Sequence, residues 1–302
     1  FDASPTGGAG AYASSRLKAN RPAFRIPQSC VLTVEQARES KLGVSVQKCA
    51  AALPSELRDD PRWCDGRVAL WIYMAVGRKD ATNIFHPYLA SLPDASPEPS
   101  CWTGSLREQL ASTPAGVALT EARGFVDAVF HHLAARLRAK TKLVPPGCLE
   151  SAAELHWARG MHVSRAFPAI LAAGALGRAA PSDADADGRV VYTQTADGPE
   201  GTMRPDGADA EAPGCLLPLF DVLNHRDGEA VTYIATPPGR ADSGIAFLPN
   251  ADIRPRAELF NNYSNKSNED LLFCCAPPPR KAETVPQQPS LSAVAAVLPL
   301  AC

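Results

Sequence analysis

A chain of 302 residues, 45% hydrophobic and 21% charged, has the length and composition to bury one large core or two modest ones. Its net charge of -2 gives polyanions no whole-chain attraction, which argues against nucleic acid as a partner. No apolar run reaches the roughly 18 residues that a membrane span needs, so no membrane partner is expected either. The nine cysteines show neither a CxxC pair nor a Cys/His pair at zinc spacing, and read as reduced thiols of an intracellular protein. Plastid, cytoplasm and nucleus all stay open. The chain opens on Phe1 rather than Met, as a fragment or a processed form would.

Taken in chain order, Gly7 to Gly10 is a glycine-rich loop, Ala11 to Leu17 an extended segment, and Phe24 to Ile26 a short strand stopped by Pro27. Thr33 with Gln36 spells a capping box and predicts a short helix through Ser40. Helical patterning then dominates residues 60–165. Val68 to Val76 is a continuous apolar run, and Ala122, Phe125, Val126, Val129, Phe130, Leu133 and Leu137 recur at three- and four-residue spacing behind a cap expected at Thr120. Ser151 with Glu154 is a second capping box, opening a helix towards Arg165. Residues 178–214, rich in Asp, Gly and Pro, predict a disordered surface insertion. Strand character resumes at Val231 to Ile234, Ile245 to Leu248 and Glu258 to Tyr263, and residues 274–302 read as a Pro-rich unstructured tail. Strands at both ends of a helical middle make the fold class α+β.

No residues form a metal-site pattern. His131 and His132 lie off the apolar face of their helix, and His156 and His162 miss the i,i+4 spacing of a shared ligand face. Asp183, Asp185 and Asp187 lack the glycine turn and terminal glutamate of an EF-hand, so a solvated acidic loop is expected there.

The chemistry sits near the C-terminal end. Leu219-Phe220-Asp221-Val222-Leu223-Asn224-His225 is an apolar run ending in Asp-x-x-Asn-His. Glu258 to Tyr263 is a second apolar run, followed by Ser264-Asn265-Lys266-Ser267-Asn268. With Gly8 to Ala13, Phe24 to Pro27, the Pro87-Tyr88-Leu89 to Pro93 segment and Trp157-Ala158 leading to Ser164-Arg165-Ala166-Phe167, the pair resembles the SET-domain protein-lysine methyltransferases of the Rubisco large-subunit methyltransferase-like class.

The resemblance implies a β-clip fold of small sheets with a helical insertion, spanning residues 1–273, and the cofactor S-adenosyl-L-methionine. It places Tyr263 as the catalytic tyrosine, and Ala9, Gly10, Ala11, Asp221, Asn224 and His225 at the cofactor. Arg165, Phe167 and Tyr233 fall at the substrate side, with no metal. Asp221 and Arg165 read equally as a buried structural ion pair. An apolar residue at Phe167 suits an aliphatic lysine stem better than the histidine methylated by one branch of the class. The partner implied is a lysine-containing protein, and the chain itself is expected to be a monomer.

Two departures from the family pattern keep alternatives open. Cys275 stands where a second tyrosine closes the channel, removing a ring worth roughly 150 Å² of buried area. The C-terminal helical substrate-binding domain of the class is missing from the sequence. A catalytically impaired SET-like binding module and a protein-histidine methyltransferase are therefore carried beside the lysine methyltransferase.

Overall fold

The computed structural model describes residues 2–3, 9–96, 98–102, 104–194, 213–226 and 228–263. The N-terminal part runs through β1 (Asp2–Ala3), β2 (Ala9–Tyr12), β3 (Phe24–Ile26) and β4 (Leu32–Thr33). Helices follow: α1 (Val34–Glu39), α2 (Lys41–Lys48), α3 (Ser55–Arg58), α4 (Pro61–Cys64), α5 (Arg67–Gly77), α6 (His86–Ser91), α7 (Ser105–Leu110), α8 (Pro114–Lys140) and α9 (Ala152–Arg165). The chain then returns to strands through β5 (Ala166–Phe167), α10 (Ala169–Ala175), β6 (Val190–Gln194), β7 (Cys215–Leu216), β8 (Asn224–His225), β9 (Val231–Thr236), β10 (Gly244–Pro249) and β11 (Glu258–Asn261).

Both capping boxes form as the sequence predicts. The Thr33 and Ser151 side chains accept N-terminal amides of α1 and α9, while Gln36 and Glu154 reach back to the cap N–H groups. α5 is apolar nearly all round and accordingly buried nearly all round. The long helix α8 starts earlier than expected. Thr113 caps it by accepting from Gly116 N, with Pro114 at the first helical position, whereas the Thr120 hydroxyl bonds back to Gly116 O inside the helix.

Among the described residues, three small sheets carry the rest: β1-β2-β11-β8, β3-β10-β9-β6 and β4-β7-β5. The described part of the expected disordered insertion is ordered, which corrects that reading. Asp185 accepts from Asp187 N and Arg189 N in a tight turn, and β6 then pairs along β9 from Val190↔Ala235 to Gln194↔Val231. Val190 is buried and Val191 exposed, so this edge strand needs only one apolar face. Residues 195–212, the Lys266-Ser267-Asn268 motif, Cys275 and the tail 274–302 lie outside the described residues.

Two apolar cores meet at the three-stranded sheet. One joins α5, α8 and α9 around Trp71, and the other packs the strands with Phe167, Phe220, Tyr233 and Phe247. In β7, Leu216 enters the helical core and its neighbour Cys215 the strand core, because successive strand residues face opposite sides. Burial pushes the Cys215 thiol up to about 12, so it packs as an inert apolar group. At the start of β10, Gly244 (φ +116°) lies so close to Ile26 O that a Cβ would stand 2.1 Å from it, and only glycine fits. Among the described residues, no helix is long and apolar enough to cross a membrane, and no group of three or more His, Cys, Asp or Glu is placed to hold a metal.

Candidate active site

The candidate residues converge from both ends of the chain on β11. β2 lies antiparallel to one side of it (Glu258↔Tyr12, Leu259↔Ala11) and β8 parallel to the other (Phe260↔Asn224, Asn261↔His225). Gly10 and Ala11 therefore lie on one side of β11 and Asn224 and His225 on the other, with Ala9 at the start of β2. A parallel neighbour so far along the chain from β2 is a pairing that sequence periodicity cannot disclose.

Glu258 bridges the two sides. Its Oε1 accepts from Asn224 Nδ2 at 2.6 Å, and its Oε2 accepts from the Tyr12 hydroxyl at 3.5 Å. A Cβ at Gly10 would sit 2.6 Å from Glu258 Oε1 and 3.3 Å from Asn224 Nδ2. Gly10→Ala should therefore leave the fold intact, because the contact it meets is the mobile end of a glutamate. It should nevertheless displace the carboxylate and release the Asn224 amide. With one hydrogen bond worth about 0.5–1.5 kcal/mol, cofactor affinity should fall roughly 2- to 10-fold. Calorimetric titration beside a thermal melt checks both halves of that expectation, and an unchanged affinity would separate Gly10 from the cofactor side.

His225 and Tyr263 form the next layer. His225 Nδ1 accepts the Tyr263 backbone N–H at 3.0 Å, and the two rings stack with centroids 5.2 Å apart and planes 23° apart. An accepting Nδ1 carries no proton, so this bond fixes the imidazole state. The Tyr263 hydroxyl donates to the Leu223 carbonyl at 2.8 Å, just upstream of Asn224. Tyr263 itself lies past the end of β11 rather than inside the strand, as the sequence had suggested.

On the opposite flank, Arg165 ends α9 at the seam between the two cores. Its Nη1 donates to Asp221 O at 2.9 Å and to Asp221 Oδ2 at 3.2 Å, and Tyr88 from α6 donates its hydroxyl to the same Oδ2 at 2.9 Å. Asp221 is thus held from α6 and from α9 at once. Burial raises its carboxyl above the usual carboxylate range, with the Arg165 charge and the Tyr88 hydrogen bond pulling it back. Two atoms of this group are buried with no partner among the described residues: Asp221 Oδ1, an acceptor, and Arg165 Nε, a donor.

Phe167 and Tyr233 come together, with ring centroids 5.8 Å apart, and Phe220 packs against both at 6.2 and 5.8 Å. Tyr233 is completely buried and its hydroxyl donates to Asn261 Oδ1 at 2.6 Å. Burial lifts its phenol well above the ordinary value, with Tyr263 close enough to add to the shift. The two aromatic residues expected at the substrate side are therefore packed against each other. Sequence reasoning missed Glu258 and Asn261 as site residues. Glu258 lies on the alternation of β11, and Asn261 is a polar residue at one of its inward positions, which is a readable signal.

No protein-family model and no curated protein matches the chain. Solved structures do. The SET domain of LSMT bound to lysine and AdoHcy superposes with a TM-score of 0.60 at 15% identity, over 92% of this chain and 52% of that one. The same domain bound to methyl-lysine and AdoHcy gives 0.58 at 13%, over 92% and 52%. Rubisco LSMT bound to AdoMet gives 0.58 at 14%, over 92% and 51%. The chain thus spans about half the length of the solved chains it matches. Three small sheets around a helical insertion, superposable on those structures over nearly the whole chain, give this protein the α+β fold of the SET domain of Rubisco LSMT.

Proposed function

We propose that the protein transfers a methyl group from S-adenosylmethionine to the side-chain amine of a lysine in a protein substrate. The observation that carries this reading is the crossing at β11, which sets Gly10, Asn224, His225 and Tyr263 together from three distant segments. The orphaned atoms support the fit of the cofactor. A buried acceptor and a buried donor on one ion pair can be satisfied by a group with both an ammonium and a carboxylate. The amino-acid end of S-adenosylmethionine is such a group. Asp221 and Arg165 would hold it, with Asn224, His225 and the backbone of residues 9–11 along the rest.

When bound, S-adenosylmethionine supplies a methyl carbon made electrophilic by its sulfonium. The protein has two tasks left, to present a neutral amine and to aim it. Lysine has a pKa of about 10.4 in water, and an apolar surround of the kind built by Phe167, Phe220 and Tyr233 disfavours the ammonium. Tyr263, its proton committed to Leu223 O, presents its phenolic oxygen as an acceptor that can orient an amine N–H. Alignment of the reacting atoms supplies the larger part of such a rate.

A second reading, a SET-like binding module, is favoured by Glu258, whose carboxylate lies against Gly10 and already engages the Asn224 amide. Incubation with methyl-labelled S-adenosylmethionine, using free lysine and then a cell extract as acceptors, separates the two. Label on the lysine side-chain nitrogen is expected. Label on histidine rings would move the assignment to histidine methylation. Calorimetry without cofactor binding at millimolar concentration would favour the binding module.

A further inference from the structure

We propose that Asn261 is a positioning residue of the methyl-transfer site, one amide oxygen tying the Tyr233 hydroxyl to the chain that leads into Tyr263. The inference rests on the methyltransferase reading above and assigns a role within the same site.

β11 alternates, with Leu259 and Asn261 turned inward and Glu258 and Phe260 only half buried. An inward position in an aromatic-walled core favours an apolar side chain, yet residue 261 is an asparagine at 4% exposure. A buried amide is destabilising unless it is hydrogen-bonded. Its Oδ1 accepts from Tyr233 Oη at 2.6 Å and from Asn262 N at 2.7 Å, which occupies both lone pairs of that oxygen. Tyr233, buried on all sides by Phe167, Phe220 and Phe247, receives through Asn261 the acceptor that its hydroxyl requires.

The neighbours extend the lock. Asn261 O accepts from Arg226 N at 3.0 Å, Asn262 Nδ2 donates to Glu229 O at 2.7 Å, and Tyr263 N donates to His225 Nδ1 at 3.0 Å. Residues 261–263 are therefore held in three consecutive steps. Asn261 is the member of the three whose side chain reaches across to β9 and the aromatic wall. Losing it would release Asn262 N–H and the Tyr233 hydroxyl together. The three bonds that hold residues 261–263 would remain, but the amide that ties them to β9 and its aromatic wall would be gone. A reacting geometry misplaced by about 1 Å costs about 100-fold in rate.

The test uses Asn261→Leu, Tyr233→Phe, their combination, and Asn261→Asp, with free lysine and labelled S-adenosylmethionine as probes. Asn261→Leu should lower kcat about 10- to 100-fold with little change in KM for either substrate. It should also lower the melting temperature, since it strands a buried hydroxyl. The double variant removes the stranded hydroxyl together with its acceptor and should recover part of the stability, the bond from Asn262 N–H still being lost, but not kcat. Asn261→Asp keeps the accepting oxygen and should recover most of kcat. A double variant that turns over like wild type would assign Asn261 a packing role and overturn the proposal. Fluorotyrosine placed at position 263 reads the ring without turnover, and its resonance should shift in Asn261→Leu. An unmoved resonance overturns the positioning role. A shifted resonance in a protein that never labels lysine overturns the methyltransferase reading and leaves the positioning role standing.

Discussion

Tyr263→Phe should lower kcat for lysine methylation about 100-fold while cofactor affinity stays near that of the parent protein. The split follows from where the hydroxyl points. It donates to Leu223 O, immediately before the Asn224-His225 strand, so its oxygen is fixed beside that strand without contributing to the strand pairing itself. The ring keeps its stacking on His225, and the backbone N–H keeps its bond to His225 Nδ1 whichever side chain stands at 263. The phenylalanine variant thus removes one oriented oxygen and little else. Stability should fall by about 1 kcal/mol, the typical worth of one hydrogen bond. Labelled methyl transfer measured beside calorimetry and a melting curve tests all three statements. Undiminished labelling would take Tyr263 out of the mechanism, and a matching loss of cofactor affinity would move it to the binding side.

Much of this was legible in local sequence, and the divide between what was and was not is physical. Capping boxes at Thr33 and Ser151 are determined by residues three apart, and both formed. The strands carrying Tyr233, Phe247 and Leu259 followed from short apolar runs. β6 was lost because Val190-Val191-Tyr192 is a three-residue signal embedded in an acidic, glycine-rich stretch, and its stability comes from β9 rather than from itself. The true cap of α8 was readable, since Thr113 precedes Pro114, but the apolar face that drew attention begins a turn or two later. The site contained harder cases. Tyr88 reaches Asp221 across 133 residues, and Glu258 reaches Asn224 across 34. No periodicity predicts such contacts. What the sequence offered instead was a family resemblance for Asp221, Asn224, His225 and Tyr263, and the fold brings Asn224, His225 and Tyr263 together around β11 and sets Asp221 on the Arg165 flank.

Arg165→Met should destabilise the protein by about 3–5 kcal/mol near neutral pH, a loss on the order of 10 °C in Tm. Asp221 is the reason. Its side chain is 1% exposed, and Arg165 contributes one donor to its carboxylate and one to its backbone carbonyl. Methionine can fill the volume of the arginine stem, but it leaves a buried carboxylate without its cation, with the Tyr88 hydroxyl still donating to it. The pH dependence distinguishes this cause from lost packing. Burial already raises the folded pKa of Asp221 above its unfolded value, with Arg165 pulling it down. The native state then holds a proton at a pH where the unfolded chain has released it. The penalty is absent below the unfolded pKa and sets in as pH rises through the folded one. Without Arg165 the folded value climbs further. The gap between variant and parent should therefore be widest near neutral pH and narrow as the pH falls through that raised value. Asp221→Asn in the Arg165→Met background should flatten the dependence, since no carboxyl remains to titrate. A gap that stays constant with pH would mean that Arg165 stabilises the protein through its stem rather than its charge, and would remove the ion pair from the account of the cofactor site.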